Sequence, residues 1–146
     1  MPINTPKHPP TLGSHEEAVL YFISKMDIEM VNDLLDNSYT YQNYTKAKFI
    51  NLLEEAFERF RLAGDTYLLI FPGNCNYKVC DNFKTPGYLF LGNHSKNYFN
   101  LLVELDQNES ILDLYECTRF NPTFAPKFEL GQRFLLDSLS DDDLPF

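Results

Sequence analysis

The sequence predicts an α+β domain, with helices first and an antiparallel sheet after them. Three observations carry this. Apolar residues recur at helical spacing between residues 14 and 62. Aromatic and branched residues then alternate with polar ones over Gly87–His94, Asn97–Asp106 and Ile111–Phe120. The joints between those three runs are Gly, Asn, Ser and Asp, the residues of short turns.

At 146 residues the chain has the size of one domain with one core. Hydrophobic residues make up 44% and aromatics 15%, which a disordered chain would lack. A net charge of −9 repels phosphates and anionic lipid headgroups alike, so neither nucleic acid nor a membrane surface is an expected partner. No stretch approaches the roughly 20 apolar residues of a spanning helix. Met1–Pro10 has no apolar run of the secretory kind, and three cysteines are an odd number for a disulfide framework, so a cytoplasmic protein is expected.

In chain order, residues 1–13 carry four prolines and read as a flexible arm. Ser14, with Glu17 three positions on, opens a first helix carrying Ala18, Val19, Phe22, Ile23 and Met26 on one face. Asp27 caps a short second helix with Ile28, Val31, Leu34 and Leu35 inward. Tyr39–Tyr44 is a brief extended piece. Thr45 caps the longest helix, whose inward stripe is Phe49, Ile50, Leu53, Phe57 and Phe60, and Gly64 closes it in a left-handed cap. Thr66–Phe71 reads as a first strand broken by Pro72-Gly73-Asn74, and the meander follows. The domain proper thus covers 14–120. Residues 121–146 read as a tail packed on it, with Phe134, Leu135, Leu136 and Leu139 as the sticky part.

Strand parity divides the meander into two sets. Leu89, Leu91, Phe99, Leu101, Val103, Leu105, Leu112 and Leu114 form an aliphatic face that packs on the long helix. Tyr88, Phe90, His94, Tyr98, Asn100, Glu104, Asp113, Tyr115, Cys117 and Arg119 form an aromatic and polar face, suited to a homodimer interface.

The run Ala18–Tyr41, with its acidic turn at Asp27 between two helices and a second acidic turn leading into an extended piece, resembles the opening of the nuclear transport factor 2-like superfamily. The likeness extends over roughly residues 15 to 120. It implies a cone: a curved antiparallel sheet wrapped around the long helix, with an apolar pocket at its open end. That superfamily holds ketosteroid isomerases, polyketide cyclases and dehydratases beside many non-enzymatic binding domains, so the fold alone selects no function. The isomerases carry a general-base Asp in the short extended piece. Here the matching stretch is Tyr41-Gln42-Asn43-Tyr44, without a carboxylate. Their oxyanion-binding tyrosine corresponds to Tyr21.

The expected ligand site is therefore a pocket for a small apolar molecule, bounded by Tyr21, Tyr41, Leu101, Val103 and Glu116. Glu116 falls on the aliphatic face by parity, where an enclosed carboxylate exchanges protons near neutrality; a solvated Glu116 paired with Arg119 is the plainer expectation. In the enzymatic alternative Glu116 or His94 moves the proton and Tyr21 or Tyr41 donates a hydrogen bond. A third alternative is an interaction module that uses the aromatic and polar sheet face. Cys75, Cys80, His94 and Cys117 have the chemistry of a zinc site. Their spacing is loose and two of them come from different strands, so reduced, partly buried cysteines are the simpler expectation and no cofactor is expected. Asp141-Asp142-Asp143 reads as a solvated acidic end.

Overall fold

Among the described residues ten elements follow one another: α1 (His15–Ser24), α2 (Ile28–Leu34), β1 (Thr40–Tyr41), β2 (Tyr44–Thr45), α3 (Lys46–Leu62), β3 (Leu68–Cys75), β4 (Pro86–Gly92), β5 (Tyr98–Leu105), β6 (Ile111–Tyr115) and β7 (Phe120–Pro122). The computed structural model describes residues 14–75, 85–117, 120–122 and 129–136. The arm 1–13, Cys80, Arg119, Phe128, Leu139 and Asp141–Asp143 lie outside them. β1 and β2 form a small hairpin, and the other strands form one antiparallel sheet in the order β6-β5-β4-β3-β7. Among the described residues no helix is long and apolar enough to cross a membrane.

The three helix starts form where their side chains meet orphan N–H groups. Ser14 accepts from the Glu17 N–H at 3.0 Å, Asp27 from Met30 at 3.2 Å and Thr45 from Lys48 at 3.2 Å. Gly64, at φ 97°, ends α3 in the left-handed conformation that only glycine adopts freely. Next to it the buried carboxylate of Asp65 accepts from the N–H groups of His94 and Ser95, both at 2.7 Å, and from the Ser95 hydroxyl at 2.6 Å. This fastens the end of the long helix to the β4–β5 turn.

α3 buries Phe49, Leu52, Leu53, Ala56, Phe57 and Phe60, while Ile50 stays half-buried. Against this stripe lie Leu68 of β3, Phe90 of β4, Phe99, Leu101 and Val103 of β5, and Ile111 and Leu114 of β6. Phe60 sits 5.9 Å from Phe99, ring centre to ring centre, and Phe90 stacks on Phe99 at 5.0 Å. Val19, Ile23, Met26 and Val31 bring α1 and α2 into the same core.

The register corrects the expected face assignment. Leu91 pairs with Tyr98, Phe90 with Phe99 and Leu89 with Asn100, so the turn between Leu91 and Tyr98 has six residues. An even turn sets residues of opposite parity across from one another. Tyr88 and Phe90 therefore face the helices, and Leu89 and Leu91 face the other way. On β6 a bulge opposite Glu104 and Leu105 ejects Leu112, which is 37% exposed, and turns Ile111 inward. The second face is no open surface either, because Leu89, Leu91, Asn100 and Leu102 are all buried.

Two strand ends also differ from expectation. β3 runs through Pro72-Gly73-Asn74 to Cys75 instead of breaking there. Among the described strands β7 pairs with β3 only from Gly73 to Cys75, so the remainder of β3, Pro72 included, is an edge where a missing N–H is tolerated. A Cβ at Gly73 would meet the Asn121 carbonyl and the Phe120 ring, so glycine is what lets β7 approach. Phe120 does not extend β6. It belongs to β7 at the opposite edge of the sheet.

The stretch Gly131–Leu136 is fastened beside the start of β5. Tyr98 gives its N–H to the Gln132 carbonyl at 3.0 Å and takes the Phe134 N–H at 2.7 Å. Phe134 and Leu136 are sunk in the core, 6% and 2% exposed.

His15 ties three elements together. Its Nε2–H donates to the Leu34 carbonyl at the end of α2 (2.6 Å), and its Nδ1 accepts the Ile111 N–H at the start of β6 (2.9 Å). Those partners fix the tautomer with the proton on Nε2. Replacing the ring strands a donor and an acceptor that are partly buried. His15→Ala is expected to lower stability by about 1–3 kcal/mol in urea unfolding. His15→Gln, whose amide offers one donor and one acceptor, should recover most of that; equal losses in both variants would remove the bridging role.

Candidate functional site

The β1–β2 hairpin closes through Gln42 and Asn43, at φ 54° and 66°. That is a two-residue turn with both central residues left-handed, the geometry that matches the twist of a tight hairpin. Asparagine tolerates it, but glutamine is uncommon there and needs outside support. Three hydrogen bonds supply it. The Gln42 N–H donates to Asp113 Oδ1 at 2.9 Å, its side-chain amide donates to Glu116 Oε1 at 3.1 Å, and its Oε1 accepts the Glu116 N–H at 2.9 Å.

These contacts pull the hairpin tip against β5 and β6 and leave a cleft of about 410 Å³ between them. It is lined by Gln42, Asn43, Glu104, Asp113, Tyr115 and Glu116. Glu104 and Asp113 are direct cross-strand partners, two like charges opposite each other. The Tyr115 hydroxyl donates to Glu104 Oε2 at 2.6 Å. None of the six lining residues is basic.

Burial pushes the Asp113 carboxyl above the usual range. The N–H groups of Gln42 and Leu114 oppose that rise, and the charge of Glu104 adds to it. The Tyr115 phenol is raised as well, first by burial and then by its bond to Glu104. The cleft thus holds carboxylates under mutual repulsion, in partly dry surroundings. A guanidinium or ammonium group entering it would meet acceptors already fixed in place.

The residues expected from the sequence divide in three. Tyr41, Leu101 and Val103 meet in the closed core. Tyr41 packs on Phe49, and its hydroxyl takes the Asp36 N–H at 3.0 Å and lies 3.4 Å from the Asp36 carbonyl. Glu116 comes after the end of β6 and lines the cleft, with its Oε2 accepting the Leu136 N–H at 2.9 Å. Tyr21 stands on the half-exposed side of α1, edge-on to Phe22 at 5.0 Å with Lys25 over its ring.

The described members of the zinc set, Cys75, His94 and Cys117, do not come together. Cys75 is buried with Leu102 and Cys117 at one end of β3. His94 lies beyond the other end, exposed at the β4–β5 turn against Gly64. Some seven residue steps of strand separate those ends, about 23 Å. Among the described residues no group of three or more His, Cys, Asp or Glu is placed to hold a metal ion.

The sequence pattern does not mark Gln42, Asn43, Glu104, Asp113 and Tyr115 as one site. The available signal was the pair Gln42-Asn43 between two tyrosines, a two-residue turn with asparagine at its second position. A second cleft, of about 360 Å³, lies between α2 and α3, lined by Ile28, Glu29, Asn32, Ala47, Ile50, Asn51 and Glu54. No family model, curated protein or solved structure matches the chain.

The raised Asp113 pKa has a definite sign in stability. Folding disfavours the charged form, so the penalty is absent below the ordinary value of 3.8 and grows as pH rises through the folded-state pKa. Asp113→Asn keeps an oxygen for the Gln42 N–H and removes the charge. It is expected to be more stable than the natural chain at pH 7, with the difference closing as the pH falls below about 4. Urea unfolding at pH 7, 5 and 3 measures this, and a difference independent of pH would refute the assignment.

Proposed function

We propose that this chain is a non-catalytic binding domain of the nuclear transport factor 2-like kind, and that it takes a cationic side chain of a partner protein in the cleft between the β1–β2 turn and the β5–β6 edge. The observation that carries this reading is the lining of that cleft: three carboxylates and a tyrosine, no basic group, and two of the acids directly opposite on neighbouring strands. Like charges set so close are a standing cost that a bound cation relieves.

The superfamily reading draws support from the order of elements. Two helices, a hairpin, a long helix and then a meander follow one another, with the apolar stripe of α3 packed on one face of the sheet. The cone implied by the resemblance fits that order. Two features favour binding at the surface over isomerase chemistry or an apolar guest. The space between helices and sheet is occupied by Phe49, Phe57, Phe60, Phe90, Phe99 and Phe134, together with Tyr41, Leu101 and Val103. The stretch that the resemblance matches to the isomerase base, Tyr41–Tyr44, has no carboxylate, and the Gln42 amide in it is engaged with Glu116.

The reading is tested by titrating the labelled chain with N-acetyl-arginine amide and, as a neutral control, N-acetyl-citrulline amide. The arginine probe should shift the amide resonances of Gln42, Asn43 and Asp113–Glu116 saturably, with a dissociation constant on the order of 1 mM. Glu104→Gln combined with Asp113→Asn should weaken it about tenfold, the equivalent of 1.4 kcal/mol. Equal shifts from both probes, or arginine shifts scattered over the acidic surface, would sink the proposal.

A further inference from the structure

The stretch Gly131–Leu136 is bound to the domain as a peptide is bound to a receptor. β6 pairs with β5 only from Leu102 to Leu105, so the first half of β5 has backbone groups to offer on that edge. The stretch runs parallel to β5 there, bridged at Tyr98 and Arg133. Gly131 gives its N–H to the Lys96 carbonyl at 2.7 Å, and Gln132 gives its own to Asn97 Oδ1 at 2.8 Å. Phe134 and Leu136, two positions apart in an extended segment, both point into the core.

Charged groups fix the backbone around those two anchors. Arg59 donates to the Leu135 carbonyl at 3.0 Å and lies 4.8 Å over the Phe134 ring, which in turn meets Phe60 at 4.8 Å. Glu116 Oε2 takes the Leu136 N–H. Main-chain bonds along a strand edge, with pockets for alternate side chains, are the elements of recognition by strand addition.

We infer that this seat is a peptide-recognition site for an extended Phe-x-Leu segment, and that it exchanges its own segment for the same segment of a second copy of this chain. The sequence that meets every contact of the seat is the one each copy carries. A twofold pair in which each copy lends Gly131–Leu136 to the other fills both seats with unchanged contacts, which makes the exchange symmetric and closed. The hold combines two buried side chains with hydrogen bonds to Lys96, Asn97, Tyr98, Arg59 and Glu116, and an exchange between copies replaces each of these like for like.

The test uses the full-length chain. Leu136→Ala weakens the seat's own segment, and Phe134→Ala serves as the second variant. Either is challenged with a synthetic peptide of residues 129–137. The peptide should move the Tyr98 amide and Phe60 ring resonances, and its Phe-to-Ala counterpart should bind at least about tenfold more weakly. The natural chain, at rising concentration in sedimentation, should form a dimer. Isotope-filtered contacts from Phe134 of one copy to Phe60 of the other identify the exchange. A chain that stays monomeric, a dimer whose Phe134–Phe60 contact remains within each copy, or a peptide that leaves both resonances unmoved overturns the inference.

Discussion

The contacts of the Phe60 ring decide what the rest of the molecule can be. Phe60 closes the apolar stripe of α3 and meets Phe99 of β5 on one side and Phe134 of the Gly131–Leu136 stretch on the other. Each such aromatic pair contributes about 0.5–1.5 kcal/mol beyond the area it buries. More important is that the three partners belong to parts far apart in sequence, so helix, sheet and terminal stretch share one interior. Phe99 passes the contact on to Phe90, and with it the register of β4 on β5. A slip of one residue would turn Leu91 and Leu89 inward and replace that aromatic stack.

Polar groups then fasten what the aromatics have brought together. Asp65 holds the β4–β5 turn to the end of α3, and His15 holds α1 to α2 and β6. Glu116 joins the hairpin tip to the terminal stretch through its two oxygens. Apart from the Gln42 side-chain amide, the groups these side chains meet are main-chain N–H and C=O groups at turns and element ends. Such bonds add little net stability but are costly to leave unmade, and that cost is what makes the arrangement specific.

Much of the architecture is legible in the sequence because it is local. The caps at Ser14, Asp27 and Thr45, the stripe from Phe49 to Phe60 and the stop at Gly64 depend on neighbours within a turn or two. The sheet faces are less legible, since they depend on counting residues through turns. The six-residue turn after Leu91 and the ejection of Leu112 each change parity without leaving a mark in the alternation. The placement of Phe120 on the far edge, and the seat beside β5 that Gly131–Leu136 takes, rest on main-chain bonds to which side-chain pattern is blind, although Phe134 and Leu136 read as the sticky part of that stretch. The cleft was legible in its parts only. Strand parity puts Asp113, Glu104 and Tyr115 on one face, but what gathers them with Glu116 is the left-handed turn at Gln42, a conformation the residue's identity argues against.

Net charge alone would picture this acidic chain as a diffusely repelling surface, and the carboxylates do not behave that way. Asp36 accepts from the N–H and hydroxyl of Ser38, and Asp106 from the N–H groups of Asn108 and Ser110 and the hydroxyl of Tyr39. Those bonds hold both acids below their ordinary range, led by the side chain of Ser38 for Asp36 and by the Ser110 N–H for Asp106. Their charge is spent on turning the chain. Asp113 also receives an N–H, from Gln42, yet its pKa moves upward, because burial outweighs the bond and Glu104 adds repulsion. The same residue type therefore carries opposite electrostatics in two settings. In the turns, the hydrogen bonds that fix the backbone already satisfy the carboxylate. In the cleft they do not, so the repulsion between Asp113 and Glu104 is relieved by protonation of Asp113 or by a positive charge set between the two.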